Sequence, residues 1–322
     1  MLEPTIVVTR RWPAPVEKEL VRRYRSVRLN QDDVPLGPDE LKAALRDADV
    51  VLPTVSDRIP AELFTGKIRA RFLGNFGVGF DHIDVAAAAR AGIVVSNTPG
   101  VLTEATADTA MTLLLMAARR AGEGEREVRS GHWTGWRPTH LMGADVSGKI
   151  IGILGMGRIG SAVARRAHFG FGMSVVYYDR GKTVADHGVT DAVRLDSVEE
   201  VLRTADFVSL HMPGGRGNAR LIDAPRLREM KPSAFLINTA RGDVVDQDAL
   251  ADALRDRTIA GAGLDVYEGE PAVPRKLRDL ENVVLLPHLG SATLETRTAM
   301  SLQVLDNLED FLEGRRPWSR VV

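Results

Sequence analysis

The stretch that decides the fold is Gly155-Met156-Gly157-Arg158-Ile159-Gly160, a GxGxxG loop directly after the apolar run Ile150 to Leu154. The run predicts a buried strand, and Ser161 to Arg165 after the loop predict a helix. Glycines at such a turn let the backbone approach a pyrophosphate, and the helix N-terminus supplies amide donors. A bare GxGxxG is common, but in this context it predicts the opening of a dinucleotide-binding fold.

Asp179 supports this interpretation. It lies 19 residues after Gly160, at the end of the next predicted strand. A carboxylate at that position can bind both ribose hydroxyls and repel a 2′-phosphate, so NAD(H) is favoured as the cofactor. Arg180 follows at once and could contact a phosphate, which keeps NADP(H) as an alternative, or it could be a solvated surface charge.

The glycine loop lies in the middle of a chain of 322 residues, so the roughly 150 residues before it predict a second domain. Forty-two basic against 43 acidic residues leave no positive field for nucleic acid. The chain has no cysteine, which excludes disulfides and thiolate metal sites and suits the cytoplasm. Ala110 to Ala118, the longest apolar stretch, is too short to span a membrane, and Met1 to Thr5 lack signal-peptide features.

Short apolar runs separated by helix-like stretches form two series, which is the rhythm of parallel sheets covered by helices. The predicted strands are 5–8, 49–52, 70–73 and 93–96 in the first series, and 150–154, 174–178, 207–210, 234–238, 260–264 and 283–286 in the second. A helical tail over 291–312 must pack on one of the two domains. The predicted fold is α/β with two doubly wound parallel-sheet domains: a Rossmann NAD(P)-binding domain, 99–288, inserted into a flavodoxin-like substrate domain, 1–98 and 289–322.

Three ionisable residues, Arg241, Glu270 and His288, follow strands of the second series. Open α/β sheets bind their ligands at the carboxyl edge of the strands, so these side chains are expected to converge there. Arginine suits a substrate carboxylate because its guanidinium forms bidentate hydrogen bonds. A histidine oriented by a carboxylate suits proton donation to a developing alkoxide. The set predicts hydride transfer between a nicotinamide and a 2-keto acid.

The motifs around these residues closely resemble the D-2-hydroxyacid dehydrogenase family over nearly the whole chain. They are the glycine loop, Asn238-Thr239-Ala240-Arg241-Gly242, Gly263-Leu264-Asp265-Val266-Tyr267-Glu268-Gly269-Glu270-Pro271 and Pro287-His288-Leu289-Gly290-Ser291-Ala292-Thr293. The resemblance implies that Arg241, Glu270 and His288 are catalytic. It also implies a cofactor site formed by Thr106, Gly155, Gly157, Arg158, Ile159, Gly160, Asp179, Arg180, His211, Pro213, Thr239, Ala240, Asp265 and Gly290, with Asp265 holding the nicotinamide carboxamide.

In the first domain, the sequence from Asn75 to Asp84 is similar to the substrate loop of this family. The resemblance implies that the amides of Val78 and Gly79 bind the substrate carboxylate. Asp81 and His82 are interpreted as turn and hinge residues, not as a metal site or a second acid, and no metal is expected anywhere.

Within the family, residues 131–138 are similar to those of glyoxylate and hydroxypyruvate reductases. The resemblance implies a homodimer in which Trp136 reaches the partner's substrate pocket. Alternatively, Trp136 only packs the interface.

These observations lead to an enzyme that reduces glyoxylate or hydroxypyruvate to the D-2-hydroxy acid. A 2-ketogluconate or other sugar-acid reductase is the enzymatic alternative, and an NAD-sensing corepressor is the alternative of another class. Some members of the wider family act on formate and have glutamine at the position that matches Glu270, so Glu270 argues against formate as the substrate. Gly214, Gly215 and Asn218 depart from a Leu-Thr pair and a later threonine in many relatives, so the contacts on the adenine side stay open.

Overall fold

The computed structural model describes residues 3–181, 187–215 and 217–322, and every count below refers to these residues. Met1 and Leu2 of the predicted N-terminal segment lie outside them. The chain divides into two compact units, Met1–Leu102 with Ser291–Val322, and Thr103–Gly290. Each unit contains one parallel sheet.

The first unit contains a five-stranded sheet in the order β2-β1-β3-β4-β5. Its first elements are β1 (Thr5–Val8), α1 (Ala14–Arg23), β2 (Ser26–Arg28), α2 (Pro38–Asp47), β3 (Val50–Leu52), β4 (Phe72–Gly74), α3 (Val85–Arg90) and β5 (Val94–Ser96). Successive side chains of a strand point to opposite faces. Accordingly, Ile6 and Val8 pack in one apolar cluster, and Val7 packs in the other.

The second unit contains a seven-stranded sheet in the order β12-β11-β10-β9-β6-β7-β8. Its helices are α4 (Thr103–Ala118), α5 (Ala121–Arg129), α6 (Arg158–Arg165), α7 (Val198–Thr204), α8 (Ala224–Glu229), α9 (Gln247–Arg255) and α10 (Arg275–Arg278). Its strands are β6 (Ile150–Leu154), β7 (Ser174–Tyr178), β8 (Val193–Arg194), β9 (Phe207–Leu210), β10 (Phe235–Asn238), β11 (Gly261–Leu264) and β12 (Val283–Leu285). Both faces are covered, which explains why the central strands are continuous apolar runs.

The last helix, α11 (Leu294–Leu312), belongs to the first unit. Thr293 caps its N-terminus, where the Thr293 Oγ1 accepts a hydrogen bond from Thr296 N–H at 3.0 Å. Val304, Leu305 and Leu308 are fully buried against β1, β3 and β4. The helix therefore completes one face of the five-stranded sheet.

The predicted fold class, two parallel-sheet α/β domains, is confirmed, but the strand counts were wrong by one in each sheet. The two missing strands are β2 and β8. Both are short edge strands with mostly exposed residues, so they lack the apolar run on which the prediction depended. The other strands agree with their predicted bounds to within two residues at either end.

Candidate active site

Three adjacent strands of the second unit place the predicted ionisable residues at one edge of the sheet. Strands β10, β11 and β12 are parallel neighbours, and their carboxyl ends lead to Arg241, Glu270 and His288 respectively. Because parallel strands end on the same side, the three loops that carry these residues lie next to one another.

His288 and Glu270 form a direct pair. The distance between His288 Nδ1 and Glu270 Oε2 is 2.9 Å, and each side chain is about one-third exposed. The Tyr267 N–H donates to Glu270 Oε1 at 2.8 Å. Burial raises the pKa of Glu270, but the hydrogen bond and charge of His288, the Tyr267 N–H and the charge of Arg241 outweigh burial and lower it. Glu270 is therefore ionised at neutral pH and accepts a hydrogen bond from the Nδ1–H of His288.

A buried carboxylate fixes the loop that carries His288. Asp265, which is 1% exposed, accepts hydrogen bonds from Leu289 N–H at 2.6 Å and Gly290 N–H at 2.8 Å. Its backbone oxygen accepts the His288 N–H at 2.9 Å. Burial raises the pKa of Asp265, and the two loop amides and the charge of His288 oppose that rise only in part. The backbone of His288 has φ +55°, a conformation that these three hydrogen bonds maintain.

The Arg241 turn is shaped by Asn238 and packed against the Glu270 loop. Asn238 Oδ1 accepts the Ala240 N–H at 3.0 Å, and Asn238 Nδ2 donates to the Arg241 oxygen at 2.9 Å. A side-chain carbon at Gly242 would lie 1.9 Å from the Tyr267 carbonyl carbon. The two loops can thus approach only because position 242 is glycine.

The glycine loop has the close contacts that a dinucleotide site requires. A side-chain carbon at Gly160 would lie 2.2 Å from the Gly155 oxygen, so this glycine allows α6 to pack on the loop. Gly157 is the N-cap residue of α6 and faces open space, and Arg158 and Ile159 begin the helix. The Met156 N–H donates to Asp179 Oδ2 at 2.9 Å, which brings the predicted ribose-binding carboxylate to this loop.

Arg180 is exposed and contacts no carboxylate in the described residues, but its guanidinium has two hydrogen-bond partners. Its guanidinium donates to the Gly217 oxygen at 3.1 Å and to Asn218 Oδ1. Asn218 Nδ2 in turn donates to the Pro213 oxygen at 2.7 Å. The segment in which this sequence departs from its relatives is therefore hydrogen-bonded to Arg180, whose role at the cofactor stays a prediction.

Other predicted cofactor residues lie along the same edge. Thr106, on α4, is buried beside Gly290, where an added side-chain carbon would lie 3.5 Å from Thr106 Cγ2. The Thr239 hydroxyl is buried and has no hydrogen-bond partner within the described part of the chain. The His211 ring contacts Ser209 Oγ at 2.8 Å, and burial lowers the pKa of His211 to about 3, so the ring is neutral.

Val78, Gly79 and Trp136 are carried by other segments of the chain. Val78 and Gly79 lie in the first unit, on the loop after β4, where both are partly accessible. Trp136 lies in the second unit on the segment after α5, and 82% of it is exposed. Asp81 and His82 occupy a turn, as expected, and His82 Nε2 contacts Asn75 Oδ1 at 3.0 Å.

Two asparagines support the site through their neighbours, and the motifs do not predict this role. Asn238 belongs to one motif and Asn75 begins the loop after β4, and the side chain of each shapes the turn that follows it. A general signal exists, because asparagine favours turns through side-chain hydrogen bonds to nearby backbone. Among residues 3–181, 187–215 and 217–322, we find no group of three acidic, histidine or cysteine side chains arranged for a metal ion. In the same residues, no helix is both long and apolar enough to cross a membrane.

A doubly wound unit with a glycine loop and a histidine–carboxylate pair at the carboxyl edge defines a dinucleotide-dependent oxidoreductase. The family model for the D-isomer specific 2-hydroxyacid dehydrogenase NAD binding domain matches residues 111–290. The chain belongs to the D-isomer-specific 2-hydroxyacid dehydrogenase family, and its cofactor is a nicotinamide dinucleotide.

Named relatives match this chain over nearly their full length. It is 44% identical over 320 residues to a glyoxylate reductase of Korarchaeum cryptofilum, covering 98% of this chain and 95% of the relative. It is also 44% identical over 321 residues to a glyoxylate reductase of Thermococcus kodakarensis, with the same coverage. The structure of an NADPH-dependent glyoxylate/hydroxypyruvate reductase from Sinorhizobium meliloti, in complex with NADP and malonate, superimposes with a TM-score of 0.88 at 35% identity, covering 99% of this chain and 97% of that one.

Proposed function

We propose that this enzyme reduces glyoxylate or hydroxypyruvate to the corresponding D-2-hydroxy acid, with NADH as the preferred reductant. The observation that carries this proposal is the 2.9 Å pair of His288 and Glu270, next to Arg241 at the edge of one sheet. The names of the relatives, glyoxylate reductases in two archaea, support the choice of substrate.

A nicotinamide bound in this site would supply the hydride for reduction of the keto carbon. His288 donates the proton that the resulting alkoxide requires. Because the ionised Glu270 accepts a hydrogen bond from the Nδ1–H of His288, the opposite nitrogen, Nε2, is the one that donates a proton to the substrate. The guanidinium of Arg241 stabilises the negative charge of the substrate, and the amides of Val78 and Gly79 hold its carboxylate.

The residues of the glycine loop fit the cofactor. The amides of Arg158 and Ile159 at the start of α6 would bind the pyrophosphate, because the first amides of a helix have no acceptor within it. The buried Thr239 hydroxyl, which has no partner within the described residues, would donate to the cofactor. Asp265 would accept from the carboxamide, since a carboxylate can accept more than its two loop hydrogen bonds. Thr106, His211, Pro213, Ala240 and Gly290 would line the remainder.

NADH is proposed over NADPH because of Asp179. Its carboxylate lies against Met156 N–H in the glycine loop, where a negative charge disfavours a 2′-phosphate. Arg180 contacts two uncharged oxygens, so its positive charge is available to moderate this preference.

We assign the substrate role to the first unit and the cofactor role to the second. The boundaries expected from the sequence, after residues 98 and 288, stay a prediction. They can be checked by expressing 99–288 alone and measuring NADH binding.

We also propose that the enzyme is a homodimer joined through the segment after α5. Val128 near the end of α5, and Trp133, Trp136 and Met142 on the segment after it, are all more than half exposed. A run of exposed apolar side chains of this kind is typical of a protein interface. Light scattering would give the mass in solution, and Trp136→Ala separates the two roles: loss of substrate affinity in an intact dimer places Trp136 in the partner's pocket, whereas a change in mass alone makes it an interface residue.

The deciding experiment is NADH and NADPH consumption with glyoxylate, hydroxypyruvate, 2-ketogluconate and pyruvate. The proposal requires the first two to be reduced most efficiently and NADH to be preferred. Faster reduction of 2-ketogluconate would favour a sugar-acid reductase, and NADH binding with negligible turnover of every acid would favour a sensor.

A further inference from the structure

The loop after β4 is held by hydrogen bonds to three consecutive carbonyl groups. Asn75 Nδ2 donates to the Gly77 oxygen at 3.0 Å and to the Gly79 oxygen at 2.9 Å. Asn97 Nδ2 donates to the Val78 oxygen at 2.8 Å. The backbone N–H of Thr98 adds a second bond to the Gly77 oxygen at 3.0 Å. The carbonyls of 77, 78 and 79 are thus all turned toward these donors.

The positions of these carbonyls fix the directions of the next amides. A trans peptide is planar, and its C=O and the following N–H point in opposite directions. The N–H groups of Val78, Gly79 and Phe80 therefore point away from Asn75 and Asn97. In the described parts of the chain, none of the three has a hydrogen-bond acceptor. N–H groups that have no acceptor within the protein are available to a bound anion.

Asn97 is itself held by the end of the chain. Ser319 Oγ donates to the backbone carbonyl oxygen of Asn97 at 2.6 Å and accepts a hydrogen bond from Asn307 Nδ2 at 2.8 Å. The Asn97 N–H donates to the Ser319 oxygen at 3.3 Å. Ser319 is 7% exposed, and Asn307 is fully buried. These contacts are long-range in sequence, since Ser319 lies 222 residues after Asn97.

The residues after Ser319 extend this contact along β5. Ser96 and Arg320 form an antiparallel bridge, and Val321 N–H donates to the Val95 oxygen at 2.7 Å. Val321 and Val322 pack against the apolar cluster on one face of the five-stranded sheet. Residues 319–322 are thus anchored to the sheet, so the Ser319 hydroxyl has a fixed place beside Asn97.

We propose that Asn97 and Ser319 are positioning residues for a small carboxylate bound at the amides of Val78 and Gly79. Asn97 orients the peptide between Val78 and Gly79, and Ser319 orients Asn97. The inference rests on the proposed function for the identity of the anion, a 2-keto acid. It assigns to the C-terminal tail a role in substrate affinity, distinct from the proton donor.

Substitution of Asn97 tests the first link. Asn97→Asp keeps the size of the side chain but replaces the donor with an acceptor, and Asn97→Ala removes it. Loss of one hydrogen bond that orients the amides should raise the KM for the keto acid and the inhibition constant of oxamate about tenfold. The kcat and the dissociation constant of NADH should stay within about twofold of the wild type, because no catalytic or cofactor group has changed.

Substitution of Ser319 tests the second link. Ser319→Ala should change the same two constants in the same direction and by less, about threefold, because Asn97 keeps its own bond to Val78. Ser319→Thr retains the hydroxyl and should restore them. Trp318→Ala is the matched control, since this neighbour is 62% exposed and should leave both constants unchanged.

The amide signals of Val78 and Gly79 give a readout that does not depend on turnover. Oxamate added to the protein with NADH should shift both ¹⁵N–¹H signals in the wild type, and about tenfold more oxamate should be needed in Asn97→Asp. Absence of the shift in the wild type, or an unchanged titration in folded Asn97 and Ser319 variants, overturns the inference. If no keto acid is reduced but oxamate shifts these signals as described, the proposed function fails and this inference stands.

Discussion

The carboxyl edge of the second sheet and the loop after β4 differ in the atoms that we propose they offer to a substrate. At the sheet edge the proposed reactive atoms belong to the side chains of Arg241 and His288; Glu270 pairs with His288, and the buried Asp265 fixes the loop that carries it. In the loop they are backbone N–H groups, and neutral asparagine side chains orient them. We therefore expect the sheet edge to govern the rate of the chemical step and the loop after β4 to govern the affinity for the keto acid.

The largest effect is expected for His288→Gln. If this histidine is the general acid, kcat should fall roughly 10²- to 10⁴-fold while the affinity for NADH is kept. His168→Gln provides a control, because His168 is a partly exposed histidine after the end of α6, outside the loops at the carboxyl edge. Steady-state NADH oxidation with glyoxylate measures both variants, and a near-normal kcat for His288→Gln, with chemistry limiting, would remove the histidine from the mechanism.

Arg241→Ala should have the next largest effect. Arg241 belongs to the sheet edge, but its proposed role is to bind the negative charge of the substrate. Loss of a charged hydrogen-bond donor to the keto acid should lower kcat/KM roughly 10- to 100-fold, and NADH affinity should be spared. The exposed Arg255, changed to alanine, controls for loss of a positive charge in the same unit. Equal losses of keto-acid and NADH affinity would mean that Arg241 is a structural residue of the cofactor site.

Asp179 belongs to neither region, and its substitution should have a smaller effect, on the preference between NADH and NADPH. Asp179→Asn removes the charge beside the glycine loop and keeps the shape of the side chain. The ratio of kcat/KM for NADPH to that for NADH should rise about tenfold, which corresponds to about 1.4 kcal/mol. The KM for the keto acid should not change. An unchanged cofactor ratio would show that Asp179 does not discriminate the 2′-phosphate.

The smallest effect concerns stability at low pH. Because the pKa of Glu270 is lower in the folded protein than in the unfolded chain, its contribution is present above the unfolded value of about 4.3 and is lost as pH falls through the folded value. Urea unfolding between pH 7 and the acid range should therefore show a smaller loss of free energy in Glu270→Gln than in the wild type. With one-third of the side chain exposed, the difference should be below about 1 kcal/mol. Equal losses in both proteins would remove Glu270 from the acid-sensitive groups.

Residue type and strand spacing were enough to predict which three ionisable residues lie at the sheet edge. Arg241, Glu270 and His288 each follow an apolar run, so their place at the sheet edge could be predicted before the structure was known. Strands β2 and β8 were missed because exposed edge strands have no apolar run. The role that we propose for Ser319 could not be predicted, since nothing local links its hydroxyl to Asn97, 222 residues earlier. The motif predicts that Asp265 faces the cofactor. It does not predict that Asp265 also fixes the His288 loop, because that depends on hydrogen bonds from two backbone amides.

The central claim is that His288 and Glu270 act as one unit in proton transfer. A single turnover of NADH-loaded enzyme with glyoxylate, followed by NADH absorbance, isolates this step from product release. The measurement compares the wild type with His288→Gln, Glu270→Gln and the double variant. We predict that Glu270→Gln slows the wild type but adds little to His288→Gln, because Glu270 acts through the histidine. Two losses that multiply in full, or a His288→Gln turnover as fast as the wild type, would contradict the claim.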